Sequence, residues 1–327
     1  MRNYDSRFKM RKLVGLLVIF LLLFVAGFGW WNSQLTPVSS DEKIKEIIIP
    51  KGSGLNSITS QLKKEGLIKS EIVFKLFIQQ QGLSDKLQAG TFEMSTSMSA
   101  KEVSKVLTTN PKEAWVTILE GWRVEEIAQK LGEQLGVKKE DFLKYAKEGY
   151  MFPDTYLFPY EISTERIANI MLDNFENKYS QELKAKIKAQ GLSEKEGVIL
   201  ASIVEREARS DKVRTEIAGI LLKRLKIDMG LNADATVQYA LGFQPKERTW
   251  WKTSLTYDDL KSDSPYNTYI HSGLPPAPIS NPSLSSLKAV ANADSSTPYL
   301  YYYHDSKGNS YYAKTLEEHN KNVGNNP

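Results

Sequence analysis

Cysteine is absent from the 327 residues, and histidine occurs three times, at His271, His304 and His319. The first absence excludes a disulfide framework, a thiolate metal site and a cysteine nucleophile. The second leaves no cluster with metal-ligand spacing, so neither a metal nor a cofactor is expected. A broad excess of one charge is also missing. The formal net charge of +4 arises within residues 1–12, where Arg2, Arg7, Lys9, Arg11 and Lys12 face only Asp5. A nucleic-acid-binding face carries its positive charge on a folded surface, so nucleic acid is not an expected partner. With 41% apolar and 25% charged residues, the remainder has the composition of a folded globular chain.

Long apolar runs are scarce, and the one present is informative. Leu13 to Trp31 is 19 residues without a charge, and as a helix it reaches about 28 Å, close to the thickness of a hydrocarbon core. A cleaved signal peptide has a shorter apolar region and a small-residue cleavage site, and neither is found here. Basic residues before the run and Trp30-Trp31 at its far end predict a single-pass anchor in the cytoplasmic membrane. The N-terminal tail, residues 1–12, is then cytoplasmic and the bulk of the chain lies outside. Residues 32–42 read as a polar linker, and a chain with no thiol to oxidise suits that compartment.

The exported part reads as α+β, in two pieces. Ile44 to Ile49 predicts a strand ended by Pro50 and Gly52, followed by Leu55, Ile58 and Leu62 at helical spacing. The pattern recurs 69 residues later, pairing Ile49 with Ile118, Gly52 with Gly121, Ile58 with Ile127 and Leu62 with Leu131. Ser70 is placed to cap a helix, Gly90 to Met94 to form a strand, and Ser99 with Glu102 to make a capping box. Strand, turn and helix resemble the start of a LysM module, a small β-α-α-β fold that binds N-acetyl-sugar polymers. A LysM-like subdomain is therefore expected over 43–113, and a larger mixed α/β domain over 114–327. In the latter, Ser163 and Ser193 begin helices, another covers Thr215 to Lys226, and the chain beyond Leu231 turns to Pro-, Asn- and Tyr-rich loops. It closes with a hairpin, Tyr299 to His304 and Tyr311 to Lys314, carrying six tyrosines.

Val198 to Val204 is apolar all round, which predicts a buried helix, and it ends in Glu205. A carboxylate there costs several kcal/mol to desolvate unless paired or protonated, and an apolar setting suits a general acid. The alternatives are an i,i+4 ion pair with Arg209 or a carboxylate reaching solvent, and periodicity does not separate Glu205 from Glu207.

Seven blocks in order then carry a resemblance. They are Glu120-Gly-Trp122, Glu148-Gly-Tyr-Met-Phe-Pro-Asp-Thr-Tyr156, Ala201-Ser-Ile-Val-Glu-Arg-Glu-Ala208, Leu231-Asn-Ala-Asp-Ala-Thr-Val-Gln-Tyr-Ala-Leu-Gly242, Ser264-Pro-Tyr-Asn-Thr-Tyr269, Gly273-Leu-Pro-Pro-Ala-Pro-Ile279 and Lys314-Thr-Leu-Glu-Glu-His-Asn320. Together they resemble the YceG-like (MltG) family of endolytic murein transglycosylases, whose membrane helix and LysM-like piece also match. Ala233 and Ala235 depart from the Ser and Pro usual there, and Ala277 from a Gly. The resemblance makes Glu205 the catalytic residue. It would protonate the oxygen between MurNAc and GlcNAc and then deprotonate the MurNAc C6 hydroxyl, leaving a 1,6-anhydro end and consuming no water. Asn232, Asp234, Thr236, Tyr266, Asn267 and Tyr269 lie in matching blocks and offer groups suited to acetamido sugars.

Asp154 and Asp234 are the candidates for a second carboxylate, although turn capping accounts for Asp154 as well. At most one of the adjacent Trp250 and Trp251 is expected to stack on a sugar. Expected partners are peptidoglycan strands, the membrane, and cell-wall synthases with division or elongation proteins. Two other readings stand beside this one: a tethered glycan-binding scaffold without turnover, and a muramidase-type hydrolase using two carboxylates.

Overall fold

In the computed structural model, which describes residues 2–109, 111–208 and 210–325, the chain starts in one long helix, α1 (Arg2–Leu35). Gly15–Leu35 is its apolar part, 21 residues, about 31 Å at the helical rise. Leu16, Phe20, Leu23 and Phe24 are 63–70% exposed, so this is not a core helix with one apolar stripe. The helix continues past Trp31 into the stretch read as linker. It stops two residues short of Pro37, whose predecessor is barred from helical backbone.

Two compact units divide the chain, residues 1–115 with 157–160, and residues 116–156 with 161–327. In the first, β1 (Ile44–Ile49) leads into α2 (Leu55–Lys64) and α3 (Glu71–Gln80), then β2 (Gly90–Ser95), a β-α-α-β order, followed by α4 (Ala100–Thr109). Strands β1 and β2 are antiparallel, from Ile44 opposite Ser95 to Ile49 opposite Gly90. A third strand, β3 (Glu113–Thr117), and a fourth, β4 (Thr155–Pro159), complete a sheet of order β1-β2-β3-β4. Alternation along β1 turns Ile47 and Ile49 inward against Ile58, Leu62, Phe74, Ile78, Phe92 and Met94. Ser70 accepts from the Val73 amide, and Ser99 with Glu102 closes its box.

The second unit is mainly helical: α5 (Val124–Leu135), α6 (Lys139–Leu143), α7 (Thr164–Lys178), α8 (Gln181–Ala189), α9 (Glu194–Glu207), α10 (Asp211–Lys226), α11 (Asp234–Leu241) and α12 (Leu284–Ala291). The hairpin β5 (Tyr301–His304) and β6 (Ser310–Ala313) and the helix α13 (Leu316–Asn325) follow. Every residue from Gly197 to Glu205 is buried, as a helix apolar all round must be, with α8, α10, α11 and α12 packed about it. Ser193 and Glu196 cap its start reciprocally. Helix α10 begins at Asp211, a turn earlier than Thr215. Helices α11, α12 and α13 occupy the region read as loops, because segments of eight to ten residues show too little periodicity to stand out.

Each copy of the sequence repeat is a strand, a turn and a helix, and each turn needs a left-handed glycine, Gly52 at φ 83° and Gly121 at φ 73°. A few residues further on, two of the sequence blocks meet at one fully buried side chain that lies two residues beyond a third. Asn281 donates to the Trp122 carbonyl and to Glu148 Oε1, each at 2.9 Å, and accepts from the Met151 amide at 2.8 Å.

Candidate active site

The last turn of α9 sends three consecutive charged side chains to three surroundings. Glu205 is 4% exposed at its side chain. Its Oε1 accepts from the Arg214 guanidinium at 3.1 Å, and its Oε2 accepts from the Ser283 amide at 2.8 Å and the Ser283 hydroxyl at 2.5 Å. Arg214 also pairs with Asp211 at 3.1 Å and lies 3.9 Å from Glu120. Pairing on this scale offsets the desolvation of a buried carboxylate. Ser283 is the N-cap of α12, so Glu205 ties α9 to α10 and α12. Arg209, the alternative partner, lies outside the described residues.

Arg206 lies with its guanidinium 3.8 Å above the Trp251 ring. Glu207 faces open space. It is half-buried and lines two cavities of about 450 Å³ each, which share Glu207, Asp234 and His304. Arg206, Ser210 and Gln238 add to the first; Asn232, Tyr269 and the Tyr301–Tyr303 run add to the second. Tyr302 donates its hydroxyl to Glu207 Oε2 at 3.1 Å. Burial, and then the charge of Asp234, push the Glu207 carboxyl up to about 7 despite that bond. Near neutral pH it therefore exists both as an acid and as a base, which is what proton transfer in both directions requires.

The other sequence candidates divide into cavity walls and supports. Asn232, Asp234 and Tyr269 share the second cavity with Glu207, and the Tyr269 hydroxyl donates to Asp234 Oδ1 at 2.6 Å. Asn232 sits at φ 46°, a left-handed position that asparagine tolerates. Thr236 is fully buried, donating to the Ala233 carbonyl at 2.7 Å and lying 2.9 Å from the Thr268 hydroxyl. Asn267 is fully buried as well, its amide donating to the Leu260 and Ser262 carbonyls at 2.9 Å. Tyr266 packs on Tyr239, ring centroids 4.8 Å apart. These three hold the loop that carries Tyr269.

Asp154 caps its own turn, accepting from the Thr155 amide at 2.8 Å and from Asn174 at 3.1 Å, and lines neither cavity. Trp251 donates to Glu126 at 3.0 Å, and Trp250 has Lys139 4.9 Å and Arg123 4.8 Å from its ring, so both engage protein cations. Pattern reasoning named Glu207 only as an open alternative and gave no role to Arg214, Ser283 or Glu120. The nearest carboxylate to the Glu205–Arg214 pair besides Asp211 is Glu120, from the first block, whose own carboxyl is raised by burial and by the charge of Glu205. Glu148 is pushed up to about 8, by burial first and the Glu125 charge next. Among the described residues, no group of three or more metal-ligating side chains is gathered.

Known proteins resemble the chain over most of its length. A sequence model described as the YceG-like family matches residues 47–325. The chain belongs to the YceG-like family. It is 33% identical to an endolytic murein transglycosylase of Bacillus subtilis (strain 168), across 92% of this chain and 90% of the relative. It is 30% identical to one of Streptococcus pneumoniae serotype 2 (strain D39), across 94% of this chain but 63% of the relative. The crystal structure of a YceG-like protein from Listeria monocytogenes superposes with a TM-score of 0.61 at 31% identity, covering 85% of this chain and 98% of that one. The seven blocks lie within the matched span, and in this YceG-like chain two of them meet at Asn281.

Proposed function

We propose that this protein is a membrane-anchored endolytic transglycosylase of peptidoglycan that cleaves the bond between MurNAc and GlcNAc and leaves 1,6-anhydroMurNAc ends. The names of its relatives support the reaction class. The observation that carries the site is Glu207, a half-buried carboxyl poised near neutrality in the wall common to two cavities. We accordingly move the catalytic role from Glu205 to Glu207. Protonated, Glu207 donates to the glycosidic oxygen as the C1–O bond breaks. As carboxylate it then takes the proton of the C6 hydroxyl while that oxygen bonds to C1, and the carboxyl is regenerated without water. The sugar's own acetamido group and Asp234 offset positive charge developing at C1. A carboxyl between two cavities suits a strand continuing on both sides of the cut, as an endo-acting enzyme needs. Glu205, held by Arg214 and Ser283, positions the end of α9.

In this proposal Gly15–Leu35 is the single transmembrane anchor, with the basic tail in the cytoplasm, and the β-α-α-β unit is a LysM-like glycan-binding piece. Such an anchor would hold the cleft near newly made strands, set where strands end, and suit association with cell-wall synthases. A second reading, a two-carboxylate hydrolase, is favoured by Asp234 lying in the same cavities as Glu207. The deciding experiment is mass spectrometry of purified glycan strands digested by the full-length protein in detergent, beside Glu207→Gln. Anhydro ends from the wild type alone are expected. Reducing MurNAc ends would transfer the assignment to the hydrolase, and binding without cleavage would leave a scaffold.

A further inference from the structure

Among the described residues, four arginines of this unit are not exposed to solvent, and three of these are committed. Arg214 pairs with Glu205 and Asp211. Arg123 pairs with Glu125 at 3.2 Å and donates to the Tyr239 carbonyl at 3.0 Å. Arg224 donates to the Leu231 carbonyl at 2.6 Å and the Leu300 carbonyl at 2.7 Å. Arg206 is different. Its one hydrogen bond is a long contact of 3.5 Å to the Gly121 carbonyl, its Nε is buried without a partner, and among the described residues no carboxylate lies within ion-pair distance. The Trp251 ring covers one face of the guanidinium, which fixes its plane and leaves the N–H edge for a ligand. Arg206 lines the first cavity beside Glu207.

A desolvated guanidinium with spare donors, one residue from the proton-transferring carboxyl, calls for an acidic or carbonyl oxygen on the substrate. In a murein strand the two alternating sugars differ in one group: MurNAc carries a lactyl ether on O3, ending in a carboxyl that is free or extended by peptide. The sugar whose C1 is attacked is MurNAc, so its O3 substituent sits on the same sugar that Glu207 addresses. We infer that Arg206 recognises the carboxyl-bearing substituent of the muramyl residue and thereby selects which of the two glycosidic bonds is cut. The inference rests on the reading that glycan occupies these cavities.

The test is calorimetric binding to the full-length protein in detergent. The probes are GlcNAc–MurNAc with a free lactyl carboxylate, the same disaccharide bearing a dipeptide, and chitobiose; none contains the bond the enzyme would cut. Wild type is expected to bind a muramyl probe about tenfold or more tighter than chitobiose. In Arg206→Gln that preference disappears while chitobiose affinity holds, and Arg206→Lys, a cation without the planar fork, restores only part of it. A preference for the free-lactyl sugar assigns the contact to the lactyl carboxylate, and one for the dipeptide probe alone assigns it to the stem. Should the variants fold poorly, salt decides on wild type: raising ionic strength about tenfold weakens muramyl binding selectively. Equal losses for both sugars in Arg206→Gln, or a wild type that does not distinguish them, overturn the inference. Strand digestion run in parallel keeps the two claims apart. Anhydro products without sugar discrimination remove the Arg206 site alone, and discrimination without products removes the enzymatic reading alone.

Discussion

Two isosteric substitutions two residues apart should change stability in opposite directions. Glu207 has its pKa raised from 4.5 to about 7, so the folded chain keeps a proton that the unfolded chain loses above pH 4.5. Folding stability therefore falls as pH rises from about 4.5 to 7, and at pH 8 the full cost applies, up to roughly 3 kcal/mol for a shift of that size. Glu207→Gln removes this cost and should unfold at a higher temperature than wild type at pH 8. Glu205→Gln keeps an acceptor for Ser283 but leaves Arg214 without its buried counter-charge. Breaking such a pair costs about 3–5 kcal/mol, reduced here because Asp211 still reaches Arg214. At about 2–4 °C per kcal/mol for a unit of this size, the midpoint should drop by several degrees. Activity should divide differently. Losing a group that serves as both acid and base removes at least about a thousandfold, so Glu207→Gln is a more stable, inactive protein and Glu205→Gln a less stable, weakened one. Thermal scans by tryptophan fluorescence and anhydro-end yields by mass spectrometry read both. A Glu205→Gln protein with an unchanged midpoint and no activity, beside an active Glu207→Gln, would refute the reasoning and return the chemistry to Glu205.

Asp234 holds the Glu207 carboxyl up by its charge, so Asp234→Asn should move the alkaline limb of the rate–pH profile to lower pH while the products keep their anhydro ends. Glu148, at about 8 in the folded chain, should contribute a further loss of stability between pH 4.5 and 8, and Glu148→Gln should flatten the dependence of the urea midpoint on pH. Ser283→Ala removes the N-cap of α12 and one donor to Glu205, and should cost about 1–3 kcal/mol by urea denaturation. Gly219 faces the Asp294 carbonyl, which an added Cβ would approach to 2.6 Å. Gly219→Ala should therefore lower the melting temperature although alanine favours helix, because the close approach outweighs the roughly 1 kcal/mol of propensity.

Much of this was legible because its causes are local. The Ser70, Ser99, Ser163 and Ser193 caps lie three residues from the amides or carboxylates they engage, and the six-tyrosine hairpin announces itself by its turn. The choice between Glu205 and Glu207 was not legible, since two residues on a helix are about 200° apart and a helix apolar all round gives no reference face. What separates them is Ser283 and Arg214 on one side and Tyr302 on the other, partners 9 to 95 residues away in the chain. Nothing in periodicity predicted that Thr236 and Asn267 hold a loop while Asn232 and Tyr269 face a cavity. That depends on Thr268 and on the Leu260 and Ser262 carbonyls coming to meet them.

The crowded end of α9 also makes the helix intolerant of a change in length. Its first turn is pinned by the Ser193–Glu196 box and its middle by Ser202, which accepts from the Ile279 amide at 3.0 Å. One residue added or removed between Ser202 and Glu205 would turn everything beyond it by about 100°. The Arg214 socket would then receive the wrong side chain, the Trp251 face would lose its guanidinium, and the cavities would lose their acid together. Substitutions could be absorbed one at a time along this helix, but its residue count is fixed by three unrelated demands at once.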